Sequence, residues 1–262
     1  MHKLGFGLMA MALGTGCAGG GPMKVIAHRG DSGEFPENTL AAFKSAVEKK
    51  ADFVELDSYQ TKDGHLVVLH DATLNRTTNA AELWGDAKHP VAERTLEELT
   101  KLDAGSWKDE QFKGEPLPTL EEAVRAINAG SVTLIERKHG QAYAYAEFLR
   151  EQDLIDKVIV QAVDWDFLAA LHTWSPRVKL GALGHGEINA EKVQAVKQIG
   201  ASWAVWNHED LNAEAIDLFR KSGLGVWTYT ANTEEDWARL AALGVDAIIT
   251  DHPAQLRAWM SE

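Results

Sequence analysis

The sequence is nearly free of cysteine: Cys17 is the only one in 262 residues. One thiol cannot close an internal disulfide, and this one lies outside the patterned part of the chain, so the folded domain has neither a disulfide nor thiol chemistry. Basic residues are scarce too, 26 against 39 acidic ones, for a formal net charge of -13. A surface of that sign repels phosphate backbones and excludes nucleic acid as a partner. An anionic small molecule would need a local cation or metal to approach. Low-complexity tracts and long single-sign blocks are missing. The apolar run "LGFGLMAMAL", Leu4 to Leu13, is too short to cross a bilayer as a helix.

The first 22 residues read as a leader. Met1-His2-Lys3 is a short cationic start, the apolar run follows, and "GTGCAGGG" brings small residues up to Cys17. This resembles the lipobox of bacterial lipoproteins, although Leu13 stands four positions before the cysteine where that motif has its leucine at three. It implies lipidation of Cys17 and an exported protein, membrane-anchored or periplasmic. The alternative is Met23 as the true first residue of a cytoplasmic protein, beginning "MKVIAHRG".

From residue 24 onward short β-rich runs alternate with amphipathic segments. The runs are 24–27, 53–60, 132–136, 158–163, 178–183, 202–206, 225–230 and 246–250. Between them lie segments such as 39–50, 119–130, 190–200, 212–223 and 233–244, several beginning at Thr or Asn and stopping at Gly, as capped helices do. With 45% apolar residues the chain can fill a sizeable core. This alternation predicts a (β/α)8 TIM barrel, a fold of about 250 residues, as one domain over 23–262. A ninth run, 66–70, follows the second after only "TKDGH", too short for a parallel crossover. It predicts a hairpin turned at Asp63-Gly64 and an insertion from about 61 to 118. In that insertion 95–105 reads as a helix, and Trp84 and Trp107 read as packing within it in preference to covering the barrel mouth.

Barrel chemistry sits at the C-terminal ends of the strands. The first strand ends at His28-Arg29. On the second, Glu55 and Asp57 stand two apart and share a face. The hairpin run ends at His70-Asp71, the third barrel strand carries Glu136 and Lys138, and the seventh carries Trp227 and Tyr229. Three carboxylates converging without a cation would repel one another, so Glu55, Asp57 and Glu136 predict a divalent metal. An all-oxygen set favours Ca2+ or Mg2+. Two histidines suit acid/base work, and Arg29 and Lys138 suit an anionic substrate. Together they describe metal-dependent phosphoryl chemistry. Each element alone has a blander reading, as an ion pair, a turn or a cap; their coincidence at strand ends carries the functional one. His185 and His208 lie on catalytic-side loops and read as solvated rather than as substrate contacts.

The ordered set "HRG", "PENT", "ELD", "TKDGHLVVLHD", "LNRTT", "LPTLEEAV", "IERK", "VWTYTAN" and "GVDAIITDHP" resembles the glycerophosphodiester phosphodiesterase family, within the phospholipase C-like phosphodiesterase superfamily. The likeness covers nearly everything after residue 23. It implies catalytic roles for His28 and His70 as general acid and base in an unassigned order. It implies metal binding by Glu55, Asp57 and Glu136, phosphate contact by Arg29 and a substrate-side cation at Lys138; read from their own positions, Trp227 is a further substrate-contact candidate and Glu37 lies near the metal. The implied reaction is hydrolysis of a small-molecule glycerophosphodiester to sn-glycerol 3-phosphate and an alcohol. Departures fall at Gln161-Ala162-Val163, where many members have Ser-Phe after the fourth strand, and at "NAAELWGD", where many have a Gly-rich stretch. Both bear on the alcohol group. A lysophospholipase D-like activity on acylated substrates is the neighbouring alternative; it needs an apolar groove, for which Trp84, Trp107, Trp203 and Trp206 are candidates. A non-catalytic binding protein would have no use for an acid/base pair, and a barrel amidohydrolase would carry His-x-His on its first strand.

Overall fold

The computed structural model describes residues 21–262, so the leader, with Cys17 and the localisation it implies, falls outside the described residues. Most helices of the alternation begin where a short side chain satisfies a free backbone N–H. Thr39 caps α1 (Leu40–Glu48), Thr119 caps α4 (Leu120–Ile127) in a capping box with Glu122, and Asn189 caps α7 (Ala190–Gln198). Asn212 caps α8 (Ala213–Lys221) and Thr233 caps α9 (Glu234–Leu243), which stops at Gly244 in the left-handed conformation. The helices α5 (Ala142–Glu151), α6 (Trp165–Trp174) and α10 (Pro253–Trp259) complete the ring.

Inside it, β1 (Lys24–Ala27), β2 (Phe53–Gln60), β4 (Val132–Arg137), β5 (Val158–Ala162), β6 (Lys179–Gly184), β7 (Trp203–Asn207), β8 (Gly225–Tyr229) and β9 (Ala247–Thr250) pair in parallel. The pairing of β1 with both β9 and β2 closes the sheet. This is a (β/α)8 barrel. Alternate residues fill its interior: Ile26, Leu134, Ile159, Leu183, Val205, Trp227 and Ile249 form one buried cluster. The intervening residues, such as Val25, Val160 and Trp206, pack outward against the helices.

Between β2 and β4 the strand β3 (Leu66–Val68) runs antiparallel to β2, with Tyr59 opposite Val67 and Gly64 at φ 89° in the turn. The strand stops at Val68, so His70 and Asp71 stand on the loop beyond it. The rest of the segment, with α2 (Ala80–Trp84) and α3 (Leu96–Leu99), buries its own cluster around Leu74, Leu99 and Leu117. The helix expected over 95–105 is a single turn. After Leu99 the bonds tighten to i→i−3 at Lys101 and Leu102, the Asp103 N–H turns to Asn79 Oδ1, and the Asp103 carboxylate takes the N–H groups of Gly105, Ser106 and Gly114. Trp84 packs within this cluster with the Arg94 guanidinium over its ring, whereas Trp107 is partly exposed, its indole N–H donating to the Ala104 carbonyl. The segment is strapped to the barrel by Lys108, which donates to the carbonyls of Ser32 and Gly33, and by Glu115, which accepts from the Ala41 N–H.

Candidate active site

The β1 strand leaves the barrel core through a backbone that few residues tolerate. Arg29 has φ 54° and Gly30 φ 86°. A Cβ on Gly30 would come within 2.7 Å of Ala42 backbone and side-chain atoms, so only glycine lets the loop lie on α1. Gly30→Ala is expected to destabilise the fold by on the order of 2–3 kcal/mol in urea unfolding. Stability equal to wild type would show that the loop relaxes at no cost. The strained Arg29 conformation aims its backbone N–H at Glu55 Oε2, 2.8 Å away, and its guanidinium at Glu37 (2.8 Å) and Asp57 (3.2 Å).

The three acidic residues expected to hold a metal do converge. One carboxylate oxygen each from Glu55, Asp57 and Glu136 lie within 4.8 Å of one another. The cause is register: Asp57 pairs with Glu136 across β2 and β4, and Glu55 stands two residues before Asp57 on the same inward face. Burial, then the charges of Asp57 and Glu136, push the Glu55 carboxyl well above its usual range; burial and Asp57 push Glu136 up as well. Lys138, 2.7 Å from Glu136 and 3.7 Å from Asp57, offsets part of this repulsion. Asn38, itself at φ 60°, donates to Asp57 Oδ2 and accepts from its backbone N–H, fixing that carboxylate. The buried Glu55 Oε1 has no hydrogen-bond partner. An orphaned carboxylate oxygen among two other carboxylates fits a hard divalent cation.

Both histidines are backed by carboxylates. His28 Nδ1 lies 2.6 Å from Asp251 Oδ1, and His70 Nδ1 lies 2.7 Å from Asp71 Oδ1. Burial works to raise the Asp251 carboxyl, yet hydrogen bonds from His28, Ser32 and Asn232 hold it far below the ordinary range. Arg76 and then His70 do the same for Asp71 against its burial. Ionised carboxylates can only accept, so each imidazole carries its proton on Nδ1 and keeps Nε2 as its unprotonated nitrogen when neutral. Burial lowers the His70 pKa, which favours the neutral, proton-accepting ring.

Glu37 does not join the acidic cluster. Its two oxygens are taken by Arg29 and by Arg76, which also grips Asp71 with two further hydrogen bonds. Arg76 thus ties the His70 loop to the Arg29 loop. Trp227 sits lower than a rim position. It is 3% exposed, stacked on Trp203 at 4.6 Å and against Phe53 at 5.0 Å, so it forms the apolar floor while Tyr229 stands above it. The histidines on later loops stay apart: His185 is exposed, and His208 is held by Arg239 and Asp236.

Sequence reasoning missed Asp251, Asn38, Arg76 and Asn232. Asp251 follows the end of β9, so the strand-end rule that found His28 could have found it. Arg76 and Asn38 sit inside quoted motifs but had no partner assignable without the fold.

The sequence of this chain from 28 to 255 matches the glycerophosphoryl diester phosphodiesterase family. It is 36% identical over 239 residues to a glycerophosphodiester phosphodiesterase of Caldanaerobacter subterraneus, covering 88% of this chain and 95% of that one. Identity to a glycerophosphodiester phosphodiesterase of Bacillus subtilis is 34% over 250 residues, covering 87% and 83%. Among solved structures, an Oleispira antarctica phosphodiesterase in complex with its product sn-glycerol-3-phosphate superposes with a TM-score of 0.83 at 27% identity, over 91% of this chain and 97% of that one. A closed barrel with its acidic cluster and paired imidazoles at one mouth, matched over most of its length, places this chain in the glycerophosphoryl diester phosphodiesterase family.

Proposed function

We propose that this chain hydrolyses glycerophosphodiesters to sn-glycerol 3-phosphate and an alcohol, in a reaction dependent on a divalent ion. The observation that carries this reading is the pairing of two carboxylate-backed histidines with three convergent carboxylates and two cations, Arg29 and Lys138, in one barrel mouth. A divalent ion held by Glu55, Asp57 and Glu136 would polarise the phosphorus centre. The chain's own residues do the rest. Arg29 and Lys138 meet the phosphate oxygens. One imidazole takes a proton at Nε2 from the attacking oxygen, and the other gives one from Nε2 to the departing alkoxide. Trp227 floors the pocket.

Of the four tryptophans considered for an acyl groove, three are engaged elsewhere and Trp107 alone is partly exposed. Trp206 is fully buried against Phe219 on the outside of the barrel, Trp203 lies beneath Trp227, and Trp84 packs in the insertion. Incubation with glycerophosphocholine is expected to release sn-glycerol 3-phosphate and choline, and lysophosphatidylcholine is expected to be the poorer substrate by kcat/KM. Faster choline release from lysophosphatidylcholine would transfer the assignment to the acylated class.

A further inference from the structure

One polar side chain in the barrel interior has no role in the chemistry above. Gln161 lies on β5 two residues after Ile159, on the same inward face, and is 1% exposed. It pairs in register with Glu136 on one side and Gly181 on the other, which puts it beside the acidic cluster. Its carboxamide oxygen is buried with no hydrogen-bond partner. A buried amide left unsatisfied costs roughly 1–3 kcal/mol, so such a group is kept where something else completes it. Gly181 sets no side chain against the amide: a Cβ there would stand 3.4 Å from Gln161 Cβ and 3.9 Å from its Oε1, and would crowd Val205 at 3.0 Å. The Tyr229 hydroxyl is already used, donating to the Gly184 carbonyl at 3.0 Å.

The chemistry of the missing partner follows from the atom. A carbonyl oxygen needs a donor. Phosphate oxygens in a diester are acceptors and are met by Arg29 and Lys138 instead. A choline esterified to the phosphate has no N–H or O–H to offer. The glycerol moiety, common to the whole substrate class, carries two free hydroxyls.

Resting on the proposed function, we infer that Gln161 binds a hydroxyl of the glycerol moiety and so selects glycerophosphodiesters over other phosphodiesters. A pocket built to hydrogen-bond a hydroxyl discriminates strongly against ligands without it, because its own polar group is then left unpaired.

The test compares sn-glycerol 3-phosphate with methyl phosphate, which has the phosphate and no hydroxyls, by titration calorimetry in the presence of the divalent ion. Wild type is expected to bind the glycerol compound about tenfold or more tightly, one hydrogen bond's equivalent. The near-isosteric Gln161→Met is expected to erase most of that preference while binding methyl phosphate unchanged. Equal affinities in wild type would overturn the inference, and this arm needs no variant to fold. An unchanged preference in Gln161→Met, or an equal loss for both ligands, would also overturn it, the latter assigning Gln161 to support of the metal site. Wild-type turnover of glycerophosphocholine, run alongside, reports separately on the parent reading: absence of turnover sinks the proposed function, whereas turnover without the binding preference sinks only the role of Gln161.

Discussion

Replacement of His28 or His70 by Gln is expected to lower kcat for glycerophosphocholine by about 10²- to 10⁴-fold, the range in which a positioned acid or base contributes. Neither ring holds the core together. The His28 backbone N–H donates to the Thr250 carbonyl, a bond that any residue there would keep, and His70 lies on a loop. Melting temperatures should therefore move little. The backing carboxylates make a graded control. Asp251→Asn keeps the shape but can donate to Nδ1, which reverses the imidazole tautomer and moves the proton to Nε2. Loss of kcat in Asp251→Asn with little change in KM would support an orientation role. If His28→Gln and His70→Gln both kept wild-type kcat, the acid/base assignment would be wrong.

The second large effect concerns the acidic cluster. A chelator is expected to abolish turnover, a loss of about 10³-fold or more if the ion supplies several kcal/mol at the phosphorus centre. Glu55→Gln should abolish it as well, with an opposite consequence for stability. Glu55 is buried and its carboxyl is pushed well up by burial and by Asp57 and Glu136, so metal-free wild type holds charges that repel. Neutralising one of them should raise the melting temperature of the metal-free protein. Adding Ca2+ or Mg2+ should then stabilise wild type, by about 2.7 kcal/mol at a hundredfold excess over Kd, and leave Glu55→Gln almost unmoved. Chelator-resistant turnover, or a variant stabilised by metal as strongly as wild type, would remove the cation from the reaction.

Much of this was legible in the sequence because barrel strands carry their chemistry at fixed places. Eight apolar runs announced eight parallel strands. The i, i+2 spacing of Glu55 and Asp57 announced one inward face, and the short "TKDGH" link announced the hairpin. What was hidden depends on distance along the chain or on local competition. No spacing rule connects Asp251 to His28. Glu37, next to the loop's Pro36, read as a metal neighbour, but two guanidiniums claim both of its oxygens. Trp227 shares a face with Tyr229, yet the pattern could not say that it would be stacked on Trp203 below the mouth. The 95–105 helix stops at Leu99, and from Asp103 onward the backbone N–H groups find side-chain partners in Asn79 and Asp103 in place of helical carbonyls.

The bond between His28 and Asp251 joins residues 223 positions apart, the two ends of the barrel's circuit. A chain made from its N-terminus presents His28 early and Asp251 late; at roughly 5–20 residues per second the interval is on the order of 10–45 s. Throughout that interval the imidazole has no partner and β1 has neither β9 beside it nor the Thr250 carbonyl that receives the His28 N–H. Competence therefore waits on the last barrel strand. Phosphodiesterase activity in a nascent or split chain would be a direct readout of ring closure, and a chain halted before its last strand would remain silent however well its carboxylates were placed.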